Sequence, residues 1–135
     1  MNITIKETKG IKKKDILSLY EANDWSSAQK PDALYNALMN SNTLISAWDG
    51  NMLVGIGNAI TDGYLVVYYP HLLVLPDYQG RGVGKKIMEV FRERYANFHQ
   101  QILVADGQAI DFYEQCGFRT ASETRAMWVY QGGEH

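Results

Sequence analysis

Residues 76–84 of this chain, Pro76-Asp77-Tyr78-Gln79-Gly80-Arg81-Gly82-Val83-Gly84, join a long apolar run to an amphipathic helix through three alternating glycines. The run, Tyr64 to Leu75, is rich in aromatic and β-branched residues and interrupted by Pro70, which predicts a bent or bulged central strand. After the glycines, Val83, Ile87, Val90, Phe91 and Phe98 recur at helical spacing, while Lys85, Lys86, Glu89, Arg92 and Glu93 face outward. At Gly80, Gly82 and Gly84 the missing Cβ atoms let backbone amides approach an anion, and the dipole of the following helix favours negative charge there. That geometry suits a pyrophosphate. A flexible connection with glycine caps is the alternative. A basic helix face alone reads as solvated surface, but Arg81, Lys85 and Lys86 beside alternating glycines favour phosphate.

Around this unit the chain reads β-α-α-β-β-β-α-β-α-β. Residues 2–7 alternate as a first strand, and Ile11, Ile16, Leu19 and Tyr20 mark a helix to about residue 22. Pro31 suits the first turn of a second helix ending near Asn40. Thr43–Trp48 and Met52–Ile60 read as strands joined by a tight turn at Asp49-Gly50-Asn51. The amphipathic helix follows the glycine turn, then a strand over Gln101–Ala105, a short helix over Ala109–Gln115 and a final strand over Met127–Tyr130. The fold class is mixed α/β, with one domain over residues 1–135 and no repeat or linker dividing it. A site then forms within one sheet-and-helix unit or between the subunits of a homodimer.

With 46% hydrophobic and 21% charged residues the chain is neither disordered nor fibrous, and a net charge of −2 offers no general attraction to nucleic acid or an anionic membrane. No apolar stretch reaches the roughly 20 residues that span a bilayer, and the N-terminus lacks an export signal, so a cytoplasmic protein is expected. Cys116 stands alone, which excludes an internal disulfide and a multi-cysteine metal site and makes it a packing residue. No metal is expected.

Two phosphate motifs fail on spacing. Counting back from Gly84-Lys85, a P-loop would have Gln79 where its first glycine belongs and Lys86 where its hydroxyl belongs. A dinucleotide fingerprint starting at Gly80 or Gly82 would need a small residue at Lys85 or Ile87. Gln79-x-x-Gly82-x-Gly84, in contrast, resembles the Gln/Arg-x-x-Gly-x-Gly/Ala pattern of the GCN5-related N-acetyltransferase (GNAT) family. Ala109-Ile110-Asp111-Phe112-Tyr113-Glu114-Gln115-Cys116-Gly117-Phe118 resembles that family's C-terminal helix and Gly-Phe turn.

The resemblance implies a mostly antiparallel central sheet flanked by helices, with a splayed strand pair forming an acetyl-CoA cleft. It implies that Leu73, Val74 and Leu75 offer backbone hydrogen bonds to the acetyl-pantetheine arm. Gln79, Gly80, Arg81, Gly82, Val83, Gly84, Lys85 and Lys86 would surround the pyrophosphate. Asp106 stands where relatives often carry an asparagine against the cofactor arm. The acetyl group would pass by direct attack in a ternary complex to a primary amine, with a small molecule preferred over a protein N-terminus or lysine. A noncatalytic acyl-CoA-binding regulatory module is the rival class.

Amine acetylation needs a neutral nucleophile, donors for the developing oxyanion and a proton for the departing thiolate. Tyr113 matches the family's acid position and would also touch the cofactor. The run 64–75 holds no Asp or Glu, so His71, two residues before Leu73 and on its face of the strand, is the expected base, with Tyr68 or Tyr69 positioning a water as the other option. Trp25, in the loop between the first two helices, and Tyr64 and Tyr69 are the expected acceptor-binding residues.

Overall fold

The computed structural model describes residues 2–133, so the expected domain over 1–135 extends slightly beyond them. Six strands build one sheet. β1 (Ile3–Glu7), β2 (Thr43–Asp49) and β3 (Met52–Thr61) are antiparallel neighbours, and β3 then pairs antiparallel with both β4 (Val66–Tyr68) and β5 (Leu72–Val74). β6 (Gln100–Ile102) lies parallel to β4. The β2–β3 turn has the expected geometry: Asp49 pairs with Met52, and Gly50 takes φ +59°.

The helices divide between the two faces. α1 (Lys13–Ala22) and α2 (Pro31–Met39) bury Ile16, Leu19, Tyr20, Leu34 and Leu38 against Leu44, Ile56 and Leu73. On the other face α3 (Val83–Arg94) buries Val83, Ile87, Met88 and Phe91 against Ile45, Ala47, Val54 and Val67, and α4 (Ile110–Gln115) adds Phe112 and Tyr113 at the margin. α3 stops at Arg94, short of the helical spacing that Phe98 suggested. Tyr95 instead sends its hydroxyl to Thr43 Oγ1 (2.6 Å), and Phe98 packs edge-on against it.

The run 64–75 is two strands. Tyr69-Pro70-His71 separates them, because Pro70 has no N–H for a ladder. The gap is bridged by buried Asn58 on β3: its amide donates to the His71 carbonyl (3.2 Å), its Oδ1 accepts from the His71 amide (3.0 Å), and its Nδ2 donates to Ser41 Oγ (3.0 Å). The expected final strand at Met127–Tyr130 is absent. Those residues have strand-like composition, but they run as irregular chain with Met127 and Val129 almost fully exposed, and no ladder partner lies beside them among the described residues.

Gly55 and Gly57 on β3 lie under α3. A Cβ on Gly57 would sit 3.0 Å from Phe91 and 3.1 Å from Ile87. Gly57→Val should therefore overpack this interface and lower stability by about 1–3 kcal/mol. Urea unfolding checks this, and an unchanged midpoint would mean that α3 is not seated on β3 as described.

Candidate functional site

Strand register determines which backbone groups can reach a ligand. Leu75 N donates to Val54 O (2.8 Å), Asn58 N to His71 O and His71 N to Asn58 Oδ1, so residues 71 and 73 and the amide of Leu75 face β3, while Leu75 O accepts from Tyr78 N (2.8 Å). In an antiparallel pair the intervening residues point theirs the other way. The backbone groups of Leu72 and Val74 therefore lie on the opposite edge of β5. β6 accompanies β4 only as far as the bond from Tyr69 N to Ile102 O (3.1 Å), and β5 pairs with β3 alone. The two strand lines thus splay beside Leu72 and Val74 and open a cleft. Of the expected contacts, the Leu73 backbone and the Leu75 amide face β3, whereas Val74 stands on the other edge together with Leu72, which was not singled out from the sequence.

The cleft runs into the glycine turn. Pro76–Tyr78 form a short 3-10 turn, Gly80 takes φ +73° and Gly82 φ +86°, and α3 begins at Val83. A Cβ built on Gly80 or Gly82 meets nothing within 4 Å, so both face open space. Lys86 N donates to Gly82 O (3.1 Å) as the first turn closes. The amides of Val83, Gly84 and Lys85 precede that bond and point out of the helix N-terminus, as first-turn amides do. These features fit a bound phosphate group. Lys85 and Lys86 are exposed beside the turn, whereas Arg81 folds back, donating to Asp77 O (3.1 Å) and lying over the Tyr78 ring.

Gly84 has a different task. A Cβ there would press on Phe112 (3.2 Å) and reach Val74 (3.6 Å), so α3, α4 and β5 converge at this point. Tyr113 follows Phe112 in α4, and Gly117, at φ +95°, ends that helix, with Phe118 N donating to Tyr113 O (3.0 Å). Burial, with smaller contributions from Cys116 and Asp106, pushes the Tyr113 phenol up to about 12. Burial also raises the Cys116 thiol above its ordinary value, which suits a packing residue.

Gln79 acts through its side chain. Its Nε2 donates to Val74 O (2.9 Å) and to Asn23 Oδ1 (3.1 Å), while Asn23 Nδ2 donates to Val74 O (3.2 Å) and Leu19 O (3.0 Å). The C-terminal end of α1, the end of β5 and the start of the glycine turn are tied at one carbonyl. Asn23 gave no signal in the sequence, since an asparagine after a helix reads as an ordinary cap.

At the other end of β5 a cleft of about 330 Å³ is lined by Trp25, Tyr68, Pro70, His71, Trp128 and Tyr130, among others. His71 Nδ1 lies 2.7 Å from Tyr20 Oη, and the His71 ring meets Trp25 edge-on at 4.9 Å. Of the expected acceptor-binding residues, Trp25 is here. Tyr64 lies in the β3–β4 turn, 86% exposed, and Tyr69 points into the α3 side of the core, its hydroxyl donating to Gln101 Oε1 (2.7 Å). Neither belongs to this cleft. Strand alternation turns Tyr68 toward it and Tyr69 away.

The comparisons with known proteins agree with this geometry. The model of the acetyltransferase (GNAT) domain family matches residues 10–128. An uncharacterized N-acetyltransferase, ycf52, of Gracilaria tenuistipitata var. liui is 28% identical over 101 residues, covering 73% of this chain and 56% of that protein. The chloroplastic GCN5-related N-acetyltransferase 2 of Arabidopsis thaliana is 33% identical over 84 residues, covering 58% of this chain and 31% of that protein. The chain thus spans about half or less of the length of these curated relatives. A GNAT-family acetyltransferase from Streptococcus pneumoniae superposes with TM-score 0.84 at 30% identity, covering 96% of this chain and 99% of the other. On the family match and the splayed-strand architecture together, this chain belongs to the GNAT acetyltransferase family.

Proposed function

We propose that the chain is an acetyl-CoA-dependent N-acetyltransferase acting on a small primary amine in the cytoplasm. The observation that carries this reading is the continuity of three features along β5: the aromatic cleft at His71, the open Leu72–Val74 edge and the glycine turn at the start of α3. The volume of the cleft, about 330 Å³, is at the lower end of the range for small-molecule pockets. It suits a low-molecular-weight acceptor better than a folded protein surface. No helix among the described residues is long and apolar enough to cross a membrane.

Acetyl-CoA would supply the activated acyl group. The first-turn amides of α3 and the exposed Lys85 and Lys86 would hold negative charge, the edge amides of Leu72 and Val74 would donate into the cleft, and Tyr113, next in α4 after the Phe112 that packs by Gly84, keeps its proton. A phenol near 12 is some three units above a thiol of about 8.5, so full proton transfer to a thiolate is uphill by about 4–5 kcal/mol. Tyr113 therefore acts as a hydrogen-bond donor to the departing sulfur, and solvent completes the protonation. A mass-resolved screen of amines, amino acids and peptides with acetyl-CoA tests the reading. Acetylated small amines support it, acetylation confined to peptides moves the acceptor class, and tight CoA binding without turnover favours a regulatory module.

Gly82→Asp should weaken acetyl-CoA binding by roughly 10- to 100-fold, the effect of one like charge near phosphate at surface dielectric. Gly82→Asn carries the same backbone strain without the charge and should lose far less. Calorimetry on the two folded variants separates charge from strain, and equal losses would remove the pyrophosphate from this turn. Gly84→Asp is a poor substitute because it also collides with Phe112.

Tyr113→Phe keeps the aromatic packing and removes one hydrogen bond to a charged atom, so single-turnover acetyl transfer should slow by roughly 10- to 100-fold with folding intact. Because burial holds the phenol protonated to about 12, wild-type activity should show no phenolate limb near the ordinary value of about 10. A wild-type rate in Tyr113→Phe, or such a limb lost in that variant, would contradict this role.

A further inference from the structure

We propose that Trp128 and Tyr130 are specificity residues of the acceptor cleft, an aromatic wall that selects an arylalkylamine carrying no charged group besides the amine itself. That the bound amine is acetylated rests on the acetyl-transfer reading. Recognition of its ring does not.

The C-terminal segment has the alternation of a strand but no strand beside it, and its side chains show what the alternation serves. Met127 and Val129 face solvent, 93% and 97% exposed, whereas Trp128 and Tyr130 line the cleft, the two-sided pattern of an extended segment. The two rings stack nearly parallel, with centroids 4.6 Å apart and an interplanar angle of 14°. The segment is also seated against the turn that follows Trp25. Tyr130 Oη lies 3.4 Å from Ser26 Oγ, and a Cβ on Gly132 would sit 2.6 Å from each of these oxygens, so the missing side chain lets the backbone pass close by.

Tyr68, at the end of β4, supplies a further ring to the lining. It is 39% exposed, and Trp128 and Tyr130 are 63% and 45% exposed, so much of their aromatic surface is in water and open to a ligand ring. Covering that surface with a ring removes apolar area from water and adds stacked or edge-on contacts. Because Trp128 and Tyr130 each spend one face on the other, they present a flat wall for a ring and not the several inward faces that cage a cation. No Asp, Glu, Lys or Arg lines the cleft. A second ammonium, or a carboxylate, on the acceptor would therefore lose its hydration without gaining an ion partner. Polyamines and free amino acids are poor occupants for that reason, and the cleft volume of about 330 Å³ limits the acceptor to a small aromatic body.

Acetylation kinetics with matched amines, expressed per neutral amine, test the wall. In the wild type, phenethylamine should show a kcat/KM roughly 2- to 10-fold above that of cyclohexylethylamine, which has similar bulk but no aromatic face. It should exceed cadaverine by roughly 100-fold, the effect of a second charge desolvated without a partner. Trp128→Leu and Tyr130→Leu replace exposed rings, so both should fold, which circular dichroism checks. Each should raise the KM for phenethylamine by roughly 3- to 10-fold and abolish the preference for the ring, while acetyl-CoA affinity by calorimetry stays the same. Trp128→Phe should keep most of the preference. A merely structural role would instead lower activity on all three amines alike and leave their order intact. Equal use of phenethylamine and cyclohexylethylamine by the wild type, a preference unchanged in both Leu variants, or cadaverine used as well as phenethylamine would each overturn the proposal. If no amine is acetylated, the acetyl-transfer reading fails and calorimetric binding decides the wall. Tighter binding of phenethylamine than of cyclohexylethylamine by the wild type, lost in Trp128→Leu, upholds the wall, and no difference overturns it.

Discussion

The break at Tyr69-Pro70-His71 is the constraint on which the site depends. An unbroken strand from residue 66 to 74 could remain paired on both sides, leaving no edge for a ligand. Pro70 removes one donor, and Asn58 repairs the β3 side through its side chain, so β4 and β5 stay paired with the same neighbour although the register shifts by one residue across the break. The repair extends only to that side. On the other, pairing with β6 ends at Ile102, and the backbone of Leu72 and the amide of Val74 are left facing the cleft, while Val74 O is taken by Gln79 and Asn23. Buried backbone must find partners, so such a gap persists only where the fold satisfies one edge and offers the other to a ligand or water. Asn58 is itself buried and donates to Ser41, which ties the break to the chain just after α2.

A second consequence follows from how closely α3 approaches the sheet. Gly55 and Gly57 clear the space for Val83, Ile87 and Phe91, which seats the α3 N-terminus beside the end of β5. Gly84 then admits Phe112, which seats α4 beside the start of α3. Packing and the proposed chemistry are linked here: the side chains that fix the angle of α3 also aim its first-turn amides, the proposed anion-binding groups. The link among Gln79, Asn23 and Val74 O works in the same sense, holding the turn against both β5 and α1.

Much of this could be read from the sequence because it is local. The strand, glycine turn and amphipathic helix follow from patterning within some thirty residues, and Gly80 and Gly82 take positive φ in that turn. Nonlocal registry could not be read. Whether residues 71, 73 and 75 or residues 72 and 74 face the cleft depends on which pair of β3 and β5 residues shares hydrogen bonds, and nothing in the run 71–75 distinguishes the two. On β4, alternation sends Tyr68 to the cleft and Tyr69 into the core, although as neighbouring tyrosines they looked equivalent. Met127–Tyr130 shows the converse. Its composition favours a strand, but a strand also requires a neighbour to pair with, and composition does not supply one.

Burial keeps several ionisable groups of the fold in their neutral, hydrogen-bearing forms. Tyr20 and Tyr113 both have raised pKa values because their phenolates would be poorly solvated, and Cys116 follows the same rule. A site composed this way is rich in donors and poor in proton acceptors. In acetyl transfer the demand for donors is met twice, at the carbonyl that gains negative charge and at the sulfur that leaves with it. The demand for a proton acceptor is not met by these groups. An amine enters such a site favourably only after losing its ammonium proton, because desolvating the cation without a carboxylate partner is costly. In the proposed reading, deprotonation of the amine therefore precedes its attack, with water as the carrier. On that reading the protein would lower the barrier chiefly by orienting donors toward developing negative charge, a role for which β5 and α3 are suitably placed.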